Sequence, residues 1–240
     1  MNITAETKVK EIAVANPGAT RILEQAGVDY CCGGNKSLHD ACAHAGVSTE
    51  EIMARLAENK SEVGPADANW VSAPLGDLTE HIREKHHRYV REAIRRVRAL
   101  LEKVTAKHAG NHAELLDIEK LFAQVGREMT MHMQKEEQIL FPYIEALERA
   151  ANGEATVEPP FFQTVRNPVH AMMEEHDAAA ALVKQIREAS SAYTPPPDAC
   201  TTYQVLYRDL REFEVDLHQH VHLENNILFP RAVEMEAAIL

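Results

Sequence analysis

The chain has 240 residues, of which 45% are hydrophobic, 5% aromatic and 26% charged, with a formal net charge of −12 at pH 7. That balance is globular and helix-favouring, and it excludes a nucleic-acid backbone as partner, because phosphate contacts need a basic patch. No apolar run reaches the roughly 18 residues of a membrane span and the N-terminus MNITAETKVKEIAVANPG lacks the layout of an export signal, so a cytoplasmic chain without a membrane partner is expected, with Cys31, Cys32, Cys42 and Cys200 as free thiols.

Residues 1–59 read as a small helical domain. Val9, Ile12 and Ala13 form one apolar stripe, Ile22, Leu23 and Ala26 a second ended by Gly27, and Leu38 to Ala45 a third ended by Gly46. Ser48 and Glu51 form a capping-box pattern ahead of Ile52 and Leu56. Between the second and third stripes, Cys31 and Cys32 are flanked by Asp29-Tyr30 and Gly33-Gly34. The glycines are expected to supply positive φ for a tight turn carrying the thiols. A disulfide between neighbours would be strained, and by themselves adjacent cysteines read as small buried hydrophobes. Residues 60–74 then read as a linker with two prolines and no periodicity, which leaves the placement of the thiols open.

Residues 75–240 carry four long helical patterns, at about 75–108, 111–149, 168–190 and 200–236. Expected boundaries are Gly110 with Asn111 and Glu114, Pro159-Pro160, a cap at Asn167 before Pro168, and Pro195-Pro196-Pro197. The fold class is therefore all-α, an up-down-up-down four-helix bundle behind a small helical domain. The five arginines between Arg88 and Arg98 read as a solvated face.

Polar residues interrupt the core stripes. The second helix reads Ile118, Phe122, Val125, Met129, His132, Glu136, Ile139, Tyr143; the fourth reads Leu206, Leu210, Phe213, Leu217, His220, Glu224, then Ile227 or Leu228. HMQKEEQILFP at 132–142 and HVHLENNILFP at 220–230 are thus matching halves of an internal duplication. The third helix places His176 between Met172 and Ala179. The first places His87 ahead of Val90 and Ile94, although counting from Leu78 and Ile82 lands on His86, so the wheel leaves those two open.

Buried imidazoles and carboxylates cost several kcal/mol each unless paired or metal-bound. A His and a Glu four residues apart project from one helical face and can grip a metal together. Four histidines and two carboxylates are too many for one tetrahedral zinc, and a nitrogen and oxygen set without thiolate fits two irons, with manganese second. Cys200, about 30 Å from His220 at 1.5 Å per residue, is no ligand. His39 and His44 beside Cys42 lack a convincing metal spacing. Among the remaining histidines, at 81, 86, 108, 112, 170, 218 and 222, His86 and His170 are candidate partners for ligand histidines and most of the rest are expected in solvent.

With DYCCGG at 29–34, W-x-S-A-P-L at 70–75, HMxKEEQILFP, EEHD at 174–177, TPPPDACTTY and HxxLENNILFP in place, the chain resembles the repair of iron centres family along nearly its whole length. The resemblance implies a hemerythrin-like bundle binding two non-haem irons, carboxylate- and oxo-bridged, through His87, His132, Glu136, His176, His220 and Glu224. HRYVRE selects His87 over His86. It implies a role in mending iron-sulfur clusters damaged by nitrosative and oxidative stress, with damaged iron-sulfur proteins and nitric oxide as partners and a homodimer as the assembly to consider. The centre would donate iron, or bind and reduce nitric oxide to nitrous oxide as an enzyme; the alternative is a nitric oxide or oxygen scavenger or sensor without turnover. Cys31 and Cys32 would be redox or iron-transfer thiols. Unlike hemerythrin-type oxygen carriers, the third helix offers a single histidine, which turns the expectation away from oxygen storage.

Overall fold

The structure, a computed structural model, describes residues 3–58, 70–158 and 160–239; residues 60–69 of the expected linker and Pro159 lie outside them. Four short helices come first: α1 (Val9–Ala15), α2 (Pro17–Gln25), α3 (Leu38–Ala45) and α4 (Thr49–Glu58). Their apolar stripes close on one core containing Ile12, Leu23, Leu38, Ile52 and Leu56, with Tyr30 fully buried among them. The Asn16 side chain accepts from the Gly18 N–H and Ser37 from the Asp40 N–H, satisfying donors that a helix start leaves free. The expected capping box forms by half: Ser48 Oγ accepts from the Glu51 N–H, and its own hydroxyl donates to Glu50.

The glycines after the cysteines serve a different purpose from the expected one. The left-handed glycines of this unit are Gly27 and Gly46 among the described residues, not Gly33 or Gly34. A Cβ on Gly33 would lie 2.8 Å from Asp29 Oδ2, and one on Gly34 would lie 2.9 Å from the Tyr30 carbonyl oxygen. Close approach, not backbone sign, demands glycine there. Asp29 builds the turn itself, its carboxylate accepting from the backbone N–H groups of Cys31, Cys32 and Gly33.

Four rods form the bundle. The first joins α5 (Leu75–His81) through a π-helical turn, Ile82–His87, to α6 (Arg88–His108). In the second, a turn at Glu136–Leu140 joins α7 (Glu114–Lys135) to α8 (Phe141–Ala151). The third is α9 (Arg166–Ala189). The fourth joins α10 (Thr201–Leu223) through Glu224–Leu228 to α11 (Phe229–Ile239). Packing runs around the ring, α6 on α7, α7 on α9, α9 on α10 and α10 on α6, as up-down-up-down topology requires.

The π turns were not legible from periodicity, and two have a local cause. Pro142 and Pro230 lack an N–H and crowd the carbonyl four residues back, so the ladder widens just upstream. No proline follows the turn at Ile82–His87, so that cause does not apply there. The inserted residue advances the apolar stripe by one. Ile139 is consequently exposed and Tyr143 only half-buried, contrary to the expected stripe, while Leu140, Phe141, Ile144 and Leu147 fill the core. Neither expected asparagine cap forms: α7 starts at Glu114 without a side-chain cap, and Asn167, inside α9, donates to the Phe162 carbonyl. The five arginines from Arg88 to Arg98 are exposed, as expected, with Arg91 and Arg96 paired to Glu137 and Asp209. No helix among the described residues is long and apolar enough to cross a membrane.

Two apolar blocks fill the bundle, one including Val97, Phe122, Met133 and Phe213, the other Leu78, Phe141, Met172 and Leu228. Between them lies a polar layer. The N-terminal unit rests on the fourth rod beside it: Tyr30 packs edge-on against His222 with centroids 5.5 Å apart, Asn226 Nδ2 donates to the Tyr30 carbonyl at 2.9 Å, and His218 pairs with Glu24 at 2.9 Å. His218 and His222 are thus interface residues, not the solvated side chains expected.

Gly34→Ala is expected to destabilise the N-terminal unit by about 1–3 kcal/mol through overpacking, whereas Gly110→Ala, whose Cβ meets nothing within 4 Å, leaves urea denaturation unchanged. Burial pushes the His222 imidazole down to about 4. The folded state therefore favours neutral His222; its contribution is complete above the unfolded value of about 6.5 and is lost as pH falls toward 4. Denaturation midpoints between pH 6.5 and 4.5 should fall more steeply for the wild type than for His222→Gln.

Candidate metal centre

Each rod delivers its polar residues to one layer. The π turns put Glu136 and Glu224 one turn beyond His132 and His220, and His87 closes the π turn of the first rod. The six sequence-identified residues gather into two groups of four, His87, Glu136, His220 and Glu224, and His132, Glu136, His176 and Glu224, with ligand atoms in each group within 4.8 Å of one another. Both glutamates belong to both groups. All six side chains are buried, and the two glutamates are 0% exposed.

The imidazoles aim Nε2 inward. His87 and His220 face each other at 3.2 Å between Nε2 atoms, and His132 and His176 at 3.0 Å. Outward, His87 Nδ1 lies 2.7 Å from Glu137 Oε1, His132 Nδ1 3.0 Å from Glu175 Oε2, and His176 Nδ1 2.9 Å from Asn225 Oδ1. These oxygens accept, so each of the three imidazoles carries its proton on Nδ1 and turns a lone pair inward. His132 and His176 then present two lone pairs to one another. A metal cation between them, or a proton taken up by one of the two, relieves that contact. Both Glu136 oxygens are buried without a hydrogen bond, although His87 and His132 Nε2 each stand 3.3 Å from Oε2. Orphaned carboxylate oxygens and facing nitrogen lone pairs fit a metal-binding site, and a nitrogen and oxygen donor set suits iron.

Electrostatics support that fit. Burial opposes ionisation of Glu224, but His220 and His176 outweigh it and hold the carboxyl well below the usual range. Burial likewise opposes charge on His132, yet Glu136 and Glu175 raise it to about 10 in the metal-free chain. A metal must displace that proton to bind.

The model of the hemerythrin HHE cation binding domain matches residues 77–232, and that of a domain of unknown function, DUF542, matches residues 5–60. A protein of Musicola paradisiaca named iron-sulfur cluster repair protein YtfE is 35% identical over 97% of this chain and 98% of its own. One of the same name from Salmonella paratyphi B is 36% identical over 94% of this chain and 96% of its own. The chain belongs to the YtfE family of iron-sulfur cluster repair proteins. Family membership agrees with the resemblance carried by the sequence motifs.

In this YtfE-family chain, sequence periodicity missed the outer partners Glu137, Glu175 and Asn225. Their signal was adjacency, since each is the next neighbour of a polar core residue. Arg91 holds Glu137 and Lys135 holds Glu175, so His87 and His132 each end a cation, carboxylate and imidazole chain. His86 is 1% exposed, bonds Asp216 at 3.0 Å and stacks on His220 with centroids 5.6 Å apart, outside both groups. His170, expected as a partner, is exposed beside Glu174. Cys200 sits at the start of α10 against His108, and Cys42 is buried while His39 and His44 are exposed. Cys31 and Cys32 lie on a loop with sulfurs 4.0 Å apart as free thiols; the neighbouring Cys32 sulfur and burial raise the Cys31 thiol well above its ordinary range.

Glu136→Leu is expected to lose most of the bound metal while helical circular dichroism persists, and the metal-free melting temperature should fall, because removing one partner of a buried imidazole and carboxylate pair strands the other. His87→Ala should lose metal on elemental analysis, whereas His86→Ala retains it and loses only stability, about 1–3 kcal/mol for the unpaired Asp216.

Proposed function

We propose that His87, His132, Glu136, His176, His220 and Glu224 hold two iron ions, with Glu136 and Glu224 shared between them, and that the protein serves the repair of iron-sulfur clusters damaged by nitrosative and oxidative stress. The observation that carries this is the sharing of two wholly buried glutamates by two histidine pairs. The name carried by the YtfE relatives supplies the repair context.

Two bound irons would supply a pair of redox-active cations with positions open to a diatomic molecule. The protein's own part is orientation and exclusion. Glu137 and Glu175 keep His87 and His132 in the tautomer that faces the ions. The apolar blocks around Phe122 and Phe141 keep bulk water from the layer. Four protein donors per group are fewer than six-coordinate iron takes, which favours nitric oxide binding as one use of the centre. The Cys31–Cys32 loop favours iron donation as the other. It shares a cleft of about 240 Å³ with Asn225 and Phe229, both beside His176.

Protein loaded anaerobically with ferrous iron should contain two irons per chain, and its optical spectrum should change on addition of nitric oxide. One iron or fewer would sink the shared-glutamate assignment. A Cys31→Ala, Cys32→Ala variant should keep both irons but transfer less to an apo iron-sulfur enzyme. Multiple turnovers of nitric oxide by the reduced wild type would exclude plain scavenging.

A further inference from the structure

The Cys31–Cys32 loop and the polar layer meet at one carboxamide. Asn225, immediately after Glu224, accepts from His176 Nδ1 through Oδ1 at 2.9 Å, and its Nδ2 points to the Cys31 carbonyl oxygen at 3.5 Å. Asn226 anchors the preceding carbonyl, that of Tyr30, at 2.9 Å. Behind His176 the Phe229 ring lies parallel at 6.1 Å, and Phe229, Asn225, Cys31 and Cys32 line one cleft. The other inward histidines are backed differently. Glu137 and Glu175 belong to the bundle and are held there by Arg91 and Lys135, and His220 Nδ1 is buried without a hydrogen-bond partner. Among these outer partners, Asn225 alone reaches the N-terminal unit.

A carboxylate at position 225 would orient His176 at least as well, being the stronger acceptor. It has no N–H to offer a carbonyl. An amide does both, accepting from the imidazole on one side and donating to the loop on the other.

We propose that Asn225 is a positioning residue that couples the Cys31–Cys32 loop to His176, so that loop placement and the orientation of this imidazole rise and fall together. Moving the loop releases the carboxamide to rotate away from Nδ1. Conversely, fixing His176 Nε2 on a metal holds Nδ1–H, Asn225 and the Cys31 carbonyl in line, as reciprocity between linked sites demands. The metal half rests on His176 being a ligand, as proposed above; the loop half does not.

The test compares wild type with Asn225→Asp and Asn225→Ala, after circular dichroism shows equal helicity. Alkylation of Cys32 by iodoacetamide is followed by mass spectrometry with and without ferrous iron, alongside ferrous iron affinity. In metal-free protein both variants should alkylate faster than wild type, by about fivefold, the lower end of ordinary site coupling. Equal metal-free rates overturn the coupling whether or not iron binds. With iron, wild-type alkylation should slow by a similar factor and neither variant should respond. Asn225→Asp keeps an acceptor for Nδ1–H and should lose no more iron affinity than the coupling factor of about fivefold, while Asn225→Ala should lose about 10–100-fold, the usual cost of removing an outer partner. Equal iron affinity in Asn225→Ala and wild type would overturn the positioning role. A wild type that binds no iron at all, yet shows the metal-free difference, would instead remove the ligand assignment and leave the loop coupling standing.

Discussion

Two carboxylates buried at the centre of a helical bundle set the terms for everything around them. Glu136 and Glu224 have no access to water, and desolvation alone would drive them neutral. Four imidazoles stand against them, but three of those are tied through Nδ1 to oxygen acceptors outside the layer and so present lone pairs inward. Negative charge and inward lone pairs leave no protein group to neutralise the middle unless imidazoles take up protons, as His132 is disposed to do in the metal-free chain. A metal cation would resolve the same imbalance, and both glutamates belong to both groups of candidate donors. The apolar blocks on either side make that resolution strong by keeping the local dielectric low.

Helical geometry had to bend for these residues to converge. An ordinary helix carries a His and a Glu four apart on one face, yet the apolar residues beyond them would then continue on a fixed stripe. The π turns break that continuity at the polar layer in three of the four rods, as such insertions often do at functional sites. In the second and fourth rods the proline of the Ile-Leu-Phe-Pro tail widens the ladder, so the repeated tail is more than packing. It sets the point at which the helix face rotates from the polar layer back to core.

The N-terminal unit brings a second chemistry to the same layer. Asp29 ties the Cys31–Cys32 turn by its backbone, Tyr30 seats it on His222, and two adjacent amides, Asn225 and Asn226, receive it on the fourth rod. Membership of the YtfE family joins this unit and the hemerythrin-like bundle in one chain, and the docking contacts supply a physical reason for their association: the residue following a shared glutamate is also the residue that meets the thiol loop.

Much of this was written in one dimension. The four rods followed from apolar periodicity, and the six polar residues of the layer from their intrusion into it, because a core position is identifiable by its neighbours three and four away. His86 and His87 could not be separated that way, since a helical wheel has no information about the π turn between Ile82 and His87, and both proved to be buried. The stripe through Ile139 and Tyr143 failed for the same reason. The outer partners Glu137, Glu175 and Asn225 escaped because they lie off the stripe and their role depends on a side chain of another rod. The sequence by itself determined the helices, the repeat and the ligand-type residues, all products of local spacing. Tertiary structure alone decided which histidines pair, which oxygens fix their tautomers and where the thiol loop lands, because those depend on contacts between residues as much as 196 positions apart, for which periodicity along one helix holds no record.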